Sequence, residues 1–403
     1  MKEISRRQFF SATTTLAAGA GLPKLQGQTT PQTAAKPKIK RYKPFGKTGW
    51  KVGDISAGSG QTEPAMVSYL FECGMNLIDT GFQYRGHEET VGKALPPWRD
   101  KVFVLDKWDP PFVTATVTKG ALLEALDISL KRLNTTYVDC MMIHSIGHPR
   151  YGGMERIQNP AIYEAWDEAK KLGKVRFTGA SSHSVNLIKE MEWGIDNNRF
   201  DVILIGANFL TQGVEPLLKK ARARGVATIA MKTMTIYQSS LNIRELQDEN
   251  TNARQAVLKW ILASDLFDTM VVSMRNFDQV AEYLAVSGST ALTRRDQQYL
   301  ETVKASIGNR YCRPGCDGCY GSCPQGVPIW DVLRYKMYFE HYGDQKFAME
   351  RYGLIPVANR ASVCYGCPAP CDKACRYGLP VRNRLLEAHA QLTFAAPGPE
   401  ETL

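Results

Sequence analysis

The 403-residue sequence has no long hydrophobic run. No segment approaches the roughly 20 uninterrupted apolar residues that a membrane-spanning helix needs, so we expect no transmembrane anchor. Positive charge is not concentrated either. The net charge is +10, but the lysines and arginines are scattered, so we expect no nucleic-acid partner. Cysteine is scarce over most of the chain, because only Cys73 and Cys140 precede residue 312.

The N-terminus reads MKEISRRQFFSATTTLAAGAGLP and combines a charged start, two adjacent arginines and a mildly apolar run. Ser5–Phe10 resemble the S-R-R-x-F pattern of a twin-arginine export signal, and Ala18–Ala20 offer small residues for cleavage. A basic N-terminal helix is the alternative interpretation. Residues 24–40, rich in Gln, Thr, Pro and Lys, are typical of a disordered linker. The resemblance implies the twin-arginine export machinery as a partner and a periplasmic or extracellular location.

Between about residues 54 and 290, short β-branched runs alternate with helical patterns. The helical stretches carry apolar residues at spacings of three and four, as in GALLEALDISLKRLN. The strand candidates are DISAGSG, NLIDTG, VFVLDKW, YVDCMMIHSI, KVRFTGASSH, DVILIGANFL, VATIAMKTM and TMVVSMR. Eight strand–helix repeats predict an α/β fold, the parallel (β/α)8 TIM barrel. The preceding stretch RYKPFGKTGWKV predicts a hairpin that plugs the bottom of the barrel.

Four polar residues stand at or just after the ends of the predicted strands. Asp79 ends the second strand, Lys107 the third and His144 the fourth, and Tyr84 follows the second. In such a barrel the carboxyl ends of all strands face one mouth, so we expect these side chains to be neighbours. Taken singly, each has a structural alternative: a loop cap, a solvated strand end or a hydrogen-bonded interior histidine.

The stretch NLIDTGFQYRGHEETVGKAL resembles the aldo/keto reductase family, which has D-T-A, Tyr-Gly and L-G-x-A-L in this order. VFVLDKW and MMIHS supply the lysine and the histidine of the family as Lys107 and His144. The resemblance implies that Tyr84 exchanges a proton with a substrate oxygen. Lys107, held by Asp79, would favour the phenolate and lower the pKa of Tyr84. His144 would orient or polarise the substrate oxygen.

The resemblance also implies NADP(H) across the barrel mouth, but here the sequence matches less closely. We expect contacts to this cofactor from residues after the fifth, seventh and eighth strands: Ser181, Ser182, Lys232, Ser273 and Arg275. Met231 or Lys232 stands where the family has an aromatic residue, and Arg275 would substitute as a phosphate contact. Since the periplasm has no pool that recycles NADPH, the cofactor would be carried in tightly bound, or the hydride would need another source.

The composition changes after about residue 308, where eight of the ten cysteines lie in two runs. The runs are Cys312-x3-Cys316-x2-Cys319-x3-Cys323-Pro324 and Cys364-x2-Cys367-x3-Cys371-x3-Cys375. Iron–sulfur clusters, two zinc sites and four disulfides are three interpretations of these cysteines. Neighbours spaced by two or three residues are better placed around a metal than for pairing. Because twin-arginine export moves folded proteins, the metal would be inserted in the reducing cytoplasm.

This layout resembles the ferredoxin-like tail of a subset of aldo/keto reductases, which carries two [4Fe-4S] clusters. In the ferredoxin run C-x2-C-x2-C-x3-C-P the fourth cysteine ligates the other cluster. By that analogy, one set is Cys312, Cys316, Cys319 and Cys375, and the other is Cys364, Cys367, Cys371 and Cys323. The chain departs from the pattern, because one gap in each run is a residue longer and Arg376 replaces the second proline.

We therefore expect a signal and linker at 1–40, a barrel at 41–308, an α-helical ferredoxin-like domain at 309–390 and a disordered tail at 391–403. The leading interpretation is an exported iron–sulfur oxidoreductase of aldo/keto reductase type, acting on a small sugar-like carbonyl or alcohol, with a redox partner protein. An alternative is an electron-transfer protein without nicotinamide, whose barrel binds a ligand or partner. A structural binding module with zinc ribbons is the third.

Overall fold

The structure, a computed structural model, describes residues 35–84, 86–109, 116–148, 152–234, 253–307 and 309–393. The expected export signal lies outside the described residues, as does the end of the expected disordered tail. Among the helices in these ranges, none has the length and apolar character needed to cross a bilayer.

Eight parallel strands close into a barrel, which confirms the predicted architecture. The chain order is also the spatial order around the barrel, and the last strand pairs with the first. The strands are β3 (Ile55–Ala57), β4 (Leu77–Asp79), β5 (Phe103–Trp108), β6 (Val138–Ile143), β7 (Val175–Ser182), β8 (Val202–Gly206), β9 (Ala227–Met231) and β10 (Thr269–Val272).

Helices pack around this barrel and alternate with its strands. They are α1 (Pro64–Glu72), α2 (His87–Ala94), α3 (Lys119–Arg132), α4 (Gly153–Ile157), α5 (Pro160–Lys171), α6 (Leu187–Asp196), α7 (Glu215–Ala223), α8 (Ala253–Leu262), α9 (Phe277–Leu284) and α10 (Arg294–Ile307). Helix α5 shows why they form. Asn159 accepts a hydrogen bond from the Ala161 amide at the N-terminus, and Pro160 fits the first turn. Its buried face includes Ile162 and Trp166.

Alternation along β5 decides which side chains reach the barrel interior. Phe103 and Leu105 belong to the apolar cluster inside the barrel, whereas Val104 and Trp108 belong to the cluster between strands and helices. Because successive side chains of a strand point to opposite faces, Lys107 shares the inward face of Leu105. The Lys107 amine therefore lies at the carboxyl end of the barrel interior.

An antiparallel hairpin of β1 (Tyr42–Pro44) and β2 (Lys51–Gly53) closes the opposite end, as the sequence predicts. Phe45 at its turn is fully buried in the interior cluster. Gly46 adopts a left-handed φ of +51° and lies so close to β9 that a Cβ there would be 2.5 Å from the Ala227 nitrogen. Only glycine fits this approach.

After the barrel, the chain forms four further helices around an apolar cluster of their own. They are α11 (Ile329–His341), α12 (Gln345–Gly353), α13 (Pro370–Ala374) and α14 (Val381–Leu392). Val332, Tyr352 and Leu385 are among the buried residues that join them. Pro314, before α11, packs over Gly206 at the end of β8, where a Cβ would be 3.1 Å from the proline. This segment therefore lies against the carboxyl end of the barrel.

Candidate active site

Lys107 and Asp79 form a buried ion pair at the barrel mouth. They come from the neighbouring parallel strands β5 and β4, and the exposed fraction of the Lys107 side chain is 1%. The Lys107 ammonium donates to Asp79 Oδ1 and, at 2.6 Å, to the Thr80 carbonyl oxygen. Burial raises the pKa of Asp79 although Lys107 opposes it. Removing one partner would leave an uncompensated buried charge in the other.

Tyr84 lies in the loop after β4, with its ring against the same lysine. The Lys107 Nζ is 4.7 Å from the ring centroid of Tyr84. Burial raises the pKa of Tyr84 well above its ordinary value, and the Asp79 carboxylate acts in the same direction. This corrects the expectation that Lys107 lowers the pKa of Tyr84. Burial and the neighbouring carboxylate therefore favour the neutral phenol.

His144 directly follows β6 and completes the group. Its ring meets Tyr84 edge-on, with centroids 5.7 Å apart. Its Nδ1 is hydrogen-bonded to Asp109 Oδ1, and Asp109 is itself buried. Burial and the nearby cations, first Lys107 and then Lys232, lower the pKa of His144 well below its ordinary value. The ring is therefore neutral near pH 7. The four residues expected at the mouth lie together, linked by contacts from Asp79 to His144.

Two buried residues that the sequence reasoning missed support His144. Asp109 is the first. Arg156 in α4 is the second, and its guanidinium donates to the carbonyl oxygens of Ile146, at 2.6 Å, of His144, at 3.0 Å, and of Ser145. These three bonds fix the loop in which Ser145 has a left-handed φ of 49°. Neither residue falls within the motif stretches compared with the family, although DKWD places an acid two residues after the strand-end lysine.

Four of the five residues expected to contact a nucleotide form two pairs. Ser181 and Ser182 are fully buried at the end of β7, and their hydroxyl oxygens accept bonds from the amides of Ser145, at 3.3 Å, and Ser184, at 3.2 Å. Ser273 and Arg275 are exposed after β10 and both approach Gly60. The exposed pair is accessible to a ligand, whereas the serine hydroxyls of the buried pair bond within the protein.

Lys232, the fifth, follows β9 and is covered by helix α11. Its Nζ donates to the Tyr338 hydroxyl at 2.9 Å. Its backbone is left-handed, with a φ of 57°, which is uncommon for a residue with a side chain. Burial lowers the pKa of Lys232 to about 8. A cationic amine in this conformation is thus held against a tyrosine of the C-terminal segment.

Further contacts fasten the C-terminal helices across the mouth. The Trp330 ring of α11 stacks on His183, with centroids 5.2 Å apart and planes inclined by 22°. Next to it, Asp331 accepts a hydrogen bond from His148 Nε2 at 2.9 Å. From α12, Arg351 donates to the Gln83 side-chain oxygen at 3.0 Å. Barrel loops after four strands therefore bind this segment, and α11 lies where a ligand would enter.

The cysteines of the C-terminal segment are free thiols that gather in two groups. Four of them line one pocket together with Trp330: Cys312, Cys316, Cys319 and Cys375. Burial raises the pKa of Cys319 to about 12, with further contributions from Cys312, Cys316, Cys375 and Cys371. Burial likewise raises the pKa of Cys364 to about 11, with contributions from Cys323, Cys371 and Cys367. The four cysteines of the pocket are those that the ferredoxin analogy assigns to one cluster, and the ligand pairing stays a prediction.

Backbone donors point at one sulfur of each group. The Val327 amide donates to Cys323 Sγ at 3.3 Å, and the Leu379 amide donates to Cys375 Sγ at 3.4 Å. Within the described ranges, no group of three or more His, Cys, Asp or Glu side chains is arranged to hold a single metal ion.

Comparison with known proteins agrees with the barrel fold. The model of the aldo/keto reductase family matches residues 49–252, about half of the chain. The chain is 25% identical over 294 residues to the uncharacterized oxidoreductase YqkF of Bacillus subtilis, covering 62% of this chain and 90% of that protein. It is 23% identical over 302 residues to L-galactose dehydrogenase of Arabidopsis thaliana, covering 65% and 93%. Among solved structures, aldo-keto reductase AKR11C1 from Bacillus halodurans superposes with a TM-score of 0.52 at 23% identity, covering 65% and 96%.

Proposed function

The chain belongs to the aldo/keto reductase family and is an oxidoreductase of that type, and from this premise we propose that it interconverts a carbonyl and an alcohol at the barrel mouth. The observation that carries the proposal is the run of contacts from Asp79 through Lys107 and Tyr84 to His144. Tyr84, kept as a phenol by burial, donates a hydrogen bond to the substrate oxygen and exchanges a proton with it. Tyr84→Phe tests this assignment, because the variant retains the ring and loses the proton.

NADP(H) is the hydride carrier in this proposal, and when bound it supplies or accepts the hydride. The residues present fit it only in part. Ser273 and Arg275 are exposed and suit an anionic phosphate end. Lys232 and His183, at the inner end, are covered by α11. Fluorescence titration with NADPH and NADH tests binding, and the absence of binding at millimolar concentration would contradict the assignment.

A second candidate function is favoured by the position of α11. An electron-transfer protein without nicotinamide would need no open cleft, and α11 covers the inner cofactor positions with Trp330 and Tyr338. Tyr84→Phe discriminates between the candidates. Loss of carbonyl turnover in the variant supports the enzyme, whereas unchanged redox exchange with a partner supports the carrier.

We propose two [4Fe-4S] clusters for the cysteine groups. The thiols are unpaired by disulfides, four of them line one pocket, and the backbone amides of Val327 and Leu379 donate to the sulfurs of Cys323 and Cys375. A cluster places iron and sulfide between its cysteines, so its ligands surround a volume rather than a point. When bound, such clusters supply single-electron transfer. A visible absorption band near ~400 nm that dithionite bleaches, with matching iron and sulfide content, tests the proposal. Colourless protein with stoichiometric zinc would contradict it.

The proposed substrate is a small polar compound of the sugar type. Relatives of the chain include L-galactose dehydrogenase, D-arabinose 1-dehydrogenase of Saccharomyces cerevisiae, and methylglyoxal reductase YeaE of Escherichia coli. Assays with L-galactose, D-arabinose and methylglyoxal therefore form the first panel. Turnover of none of the three with either nicotinamide cofactor would oppose this substrate class.

The proposed location is periplasmic or extracellular, reached by the twin-arginine route, with a redox partner protein there. The support is the Ser5–Phe10 stretch in the sequence. Replacement of Arg6 and Arg7 by lysine should retain the protein in the cytoplasm, as seen by cell fractionation. Export that continues unchanged in this variant would oppose the route.

A further inference from the structure

Asp109 and His144 face each other because of the strand register. In the β5–β6 pair, Trp108 lies opposite Ile143, and the next residue on each strand is Asp109 and His144. The Asp109 carboxylate is held from its other side by the backbone N–H of Gln83, which donates to Oδ2 at 3.1 Å. Gly81 makes room for it, since a Cβ there would be 3.1 Å from the same oxygen. Oδ1 is therefore the atom directed at the imidazole.

This arrangement decides which imidazole nitrogen carries the proton. An ionised carboxylate can only accept, so the Nδ1 that faces Asp109 must be protonated. In the neutral ring the other nitrogen, Nε2, then has a free lone pair. No side chain in the ranges covered by the structure bonds Nε2, and 19% of the side chain is exposed. Burial and nearby cations lower the pKa of His144, which keeps the ring neutral.

We propose that Asp109 is a positioning residue that fixes His144 with Nε2 as a hydrogen-bond acceptor, so that the resting site binds an alcohol in preference to a carbonyl. The inference rests on the proposed function and specifies the form of substrate that the site recognises. The Tyr84 hydroxyl is a donor and His144 Nε2 is an acceptor. An alcohol hydroxyl both accepts and donates, and thus satisfies both groups.

A carbonyl oxygen is less well matched to the Tyr84 hydroxyl and His144 Nε2. It only accepts, so it takes the Tyr84 donor and leaves its other lone pair facing the lone pair of Nε2. A carbonyl would be held by both groups only if Nε2 carried a proton. Asp109 prevents that in the neutral ring by holding the single proton on Nδ1.

Asp109→Asn should reverse which nitrogen of His144 carries the proton, with little change in the shape of the side chain at position 109. The backbone N–H of Gln83 still needs an oxygen, so the asparagine oxygen remains there and its NH2 group turns to His144 Nδ1. The ring proton must then move to Nε2. Nitrogen-15 NMR of the full chain, labelled on histidine and assigned with His144→Gln, reports the tautomer near neutral pH. We expect an Nδ1–H ring in the parent protein and an Nε2–H ring in Asp109→Asn. The same tautomer in both, or an Nε2–H ring in the parent protein, would overturn the proposal.

Activity supplies the second measurement. Asp109→Asn should raise the KM for L-galactose in oxidation by about tenfold or more, the scale of one lost hydrogen bond, and change the KM for methylglyoxal in reduction much less. Asp54→Asn is the matched control, because it alters a buried acid near the hairpin that accepts hydrogen bonds from the Ser287 hydroxyl and the Gly288 backbone amide. An equal change of both KM values in Asp109→Asn would contradict the preference. If the parent protein turns over neither probe, the proposed function fails while the tautomer measurement still decides the role of Asp109.

Discussion

Trp330 of α11 stacks on His183 at the end of β7, with ring centroids 5.2 Å apart. The same tryptophan lines the pocket formed by Cys312, Cys316, Cys319 and Cys375. One side chain therefore lies between the cysteine group and the barrel mouth. This places the C-terminal segment in contact with the site rather than beside the barrel.

Trp330→Ala should loosen the cover of the mouth. The side chain is buried, and a truncation of this size in an apolar environment typically costs about 3–5 kcal/mol of unfolding free energy. We expect lower stability in urea and, because α11 is held less firmly, tighter NADPH binding in a fluorescence titration. Trp330→Phe keeps a stacking ring and should change both quantities less. Unchanged NADPH affinity in the alanine variant would show that α11 does not restrict access.

Tyr84→Phe should lower carbonyl turnover by about 100-fold or more, the scale of a lost general acid. The fold should not change, because the variant keeps the ring that contacts Lys107 and His144. Steady-state kinetics and circular dichroism measure these two outcomes. Tyr320→Phe is the control, since this tyrosine is 58% exposed on the C-terminal segment. Turnover within a few-fold of the parent protein in Tyr84→Phe would remove Tyr84 from the chemistry.

Asp79→Asn and Lys107→Met should each destabilise the protein by about 3–5 kcal/mol, because each leaves one buried charge without its partner. The double variant should be less destabilised than the sum of the single variants. Urea unfolding of all four proteins gives this coupling energy. Additive effects would mean that the two residues are not coupled in the folded protein.

Acid should destabilise the fold through buried neutral histidines. Burial lowers the pKa of His87 to about 4, and its ring bonds Thr80 and Gln61. The unfolded chain then binds more protons than the folded one between pH 6.5 and about 4. Stability therefore falls across this window as the pH falls, by about 1.4 kcal/mol per pH unit for this group. Urea unfolding at several pH values should show a shallower slope for His87→Gln, and His341→Gln, a half-buried site, should change the slope less.

Single cysteine variants should test whether each cluster takes three ligands from one cysteine run and the fourth from the other run. Cys316→Ser and Cys375→Ser should weaken the same cluster, although the two residues lie in different runs. Cys323→Ser should instead match Cys364→Ser. Iron content and the paramagnetic resonance spectra of reduced protein distinguish the two patterns, and Cys140→Ala, in the barrel interior, is the control. If all variants within one cysteine run affected the same cluster, the assignment would be contradicted.

The barrel and the position of its four polar residues were predictable because both depend on local sequence patterns. β-Branched runs separated by amphipathic helices set the repeat, and residues after strand ends must share one mouth. Asp109 was not predictable in its role, since its bond to His144 depends on the register between two strands. The cover formed by α11 was not predictable either. An apolar helix pattern shows that a face is buried and does not show that Trp330 meets His183 across the mouth.

The order of synthesis gives the position of α11 a further meaning. Every barrel strand precedes residue 273, whereas the helix that covers the mouth begins at Ile329. During translation the barrel can therefore close while its mouth is still open to solvent. Any molecule that is to lie beneath α11 enters before the C-terminal segment docks, or it waits for that helix to lift. Docking of the C-terminal segment therefore marks the point after which a ligand can enter the mouth only if α11 moves.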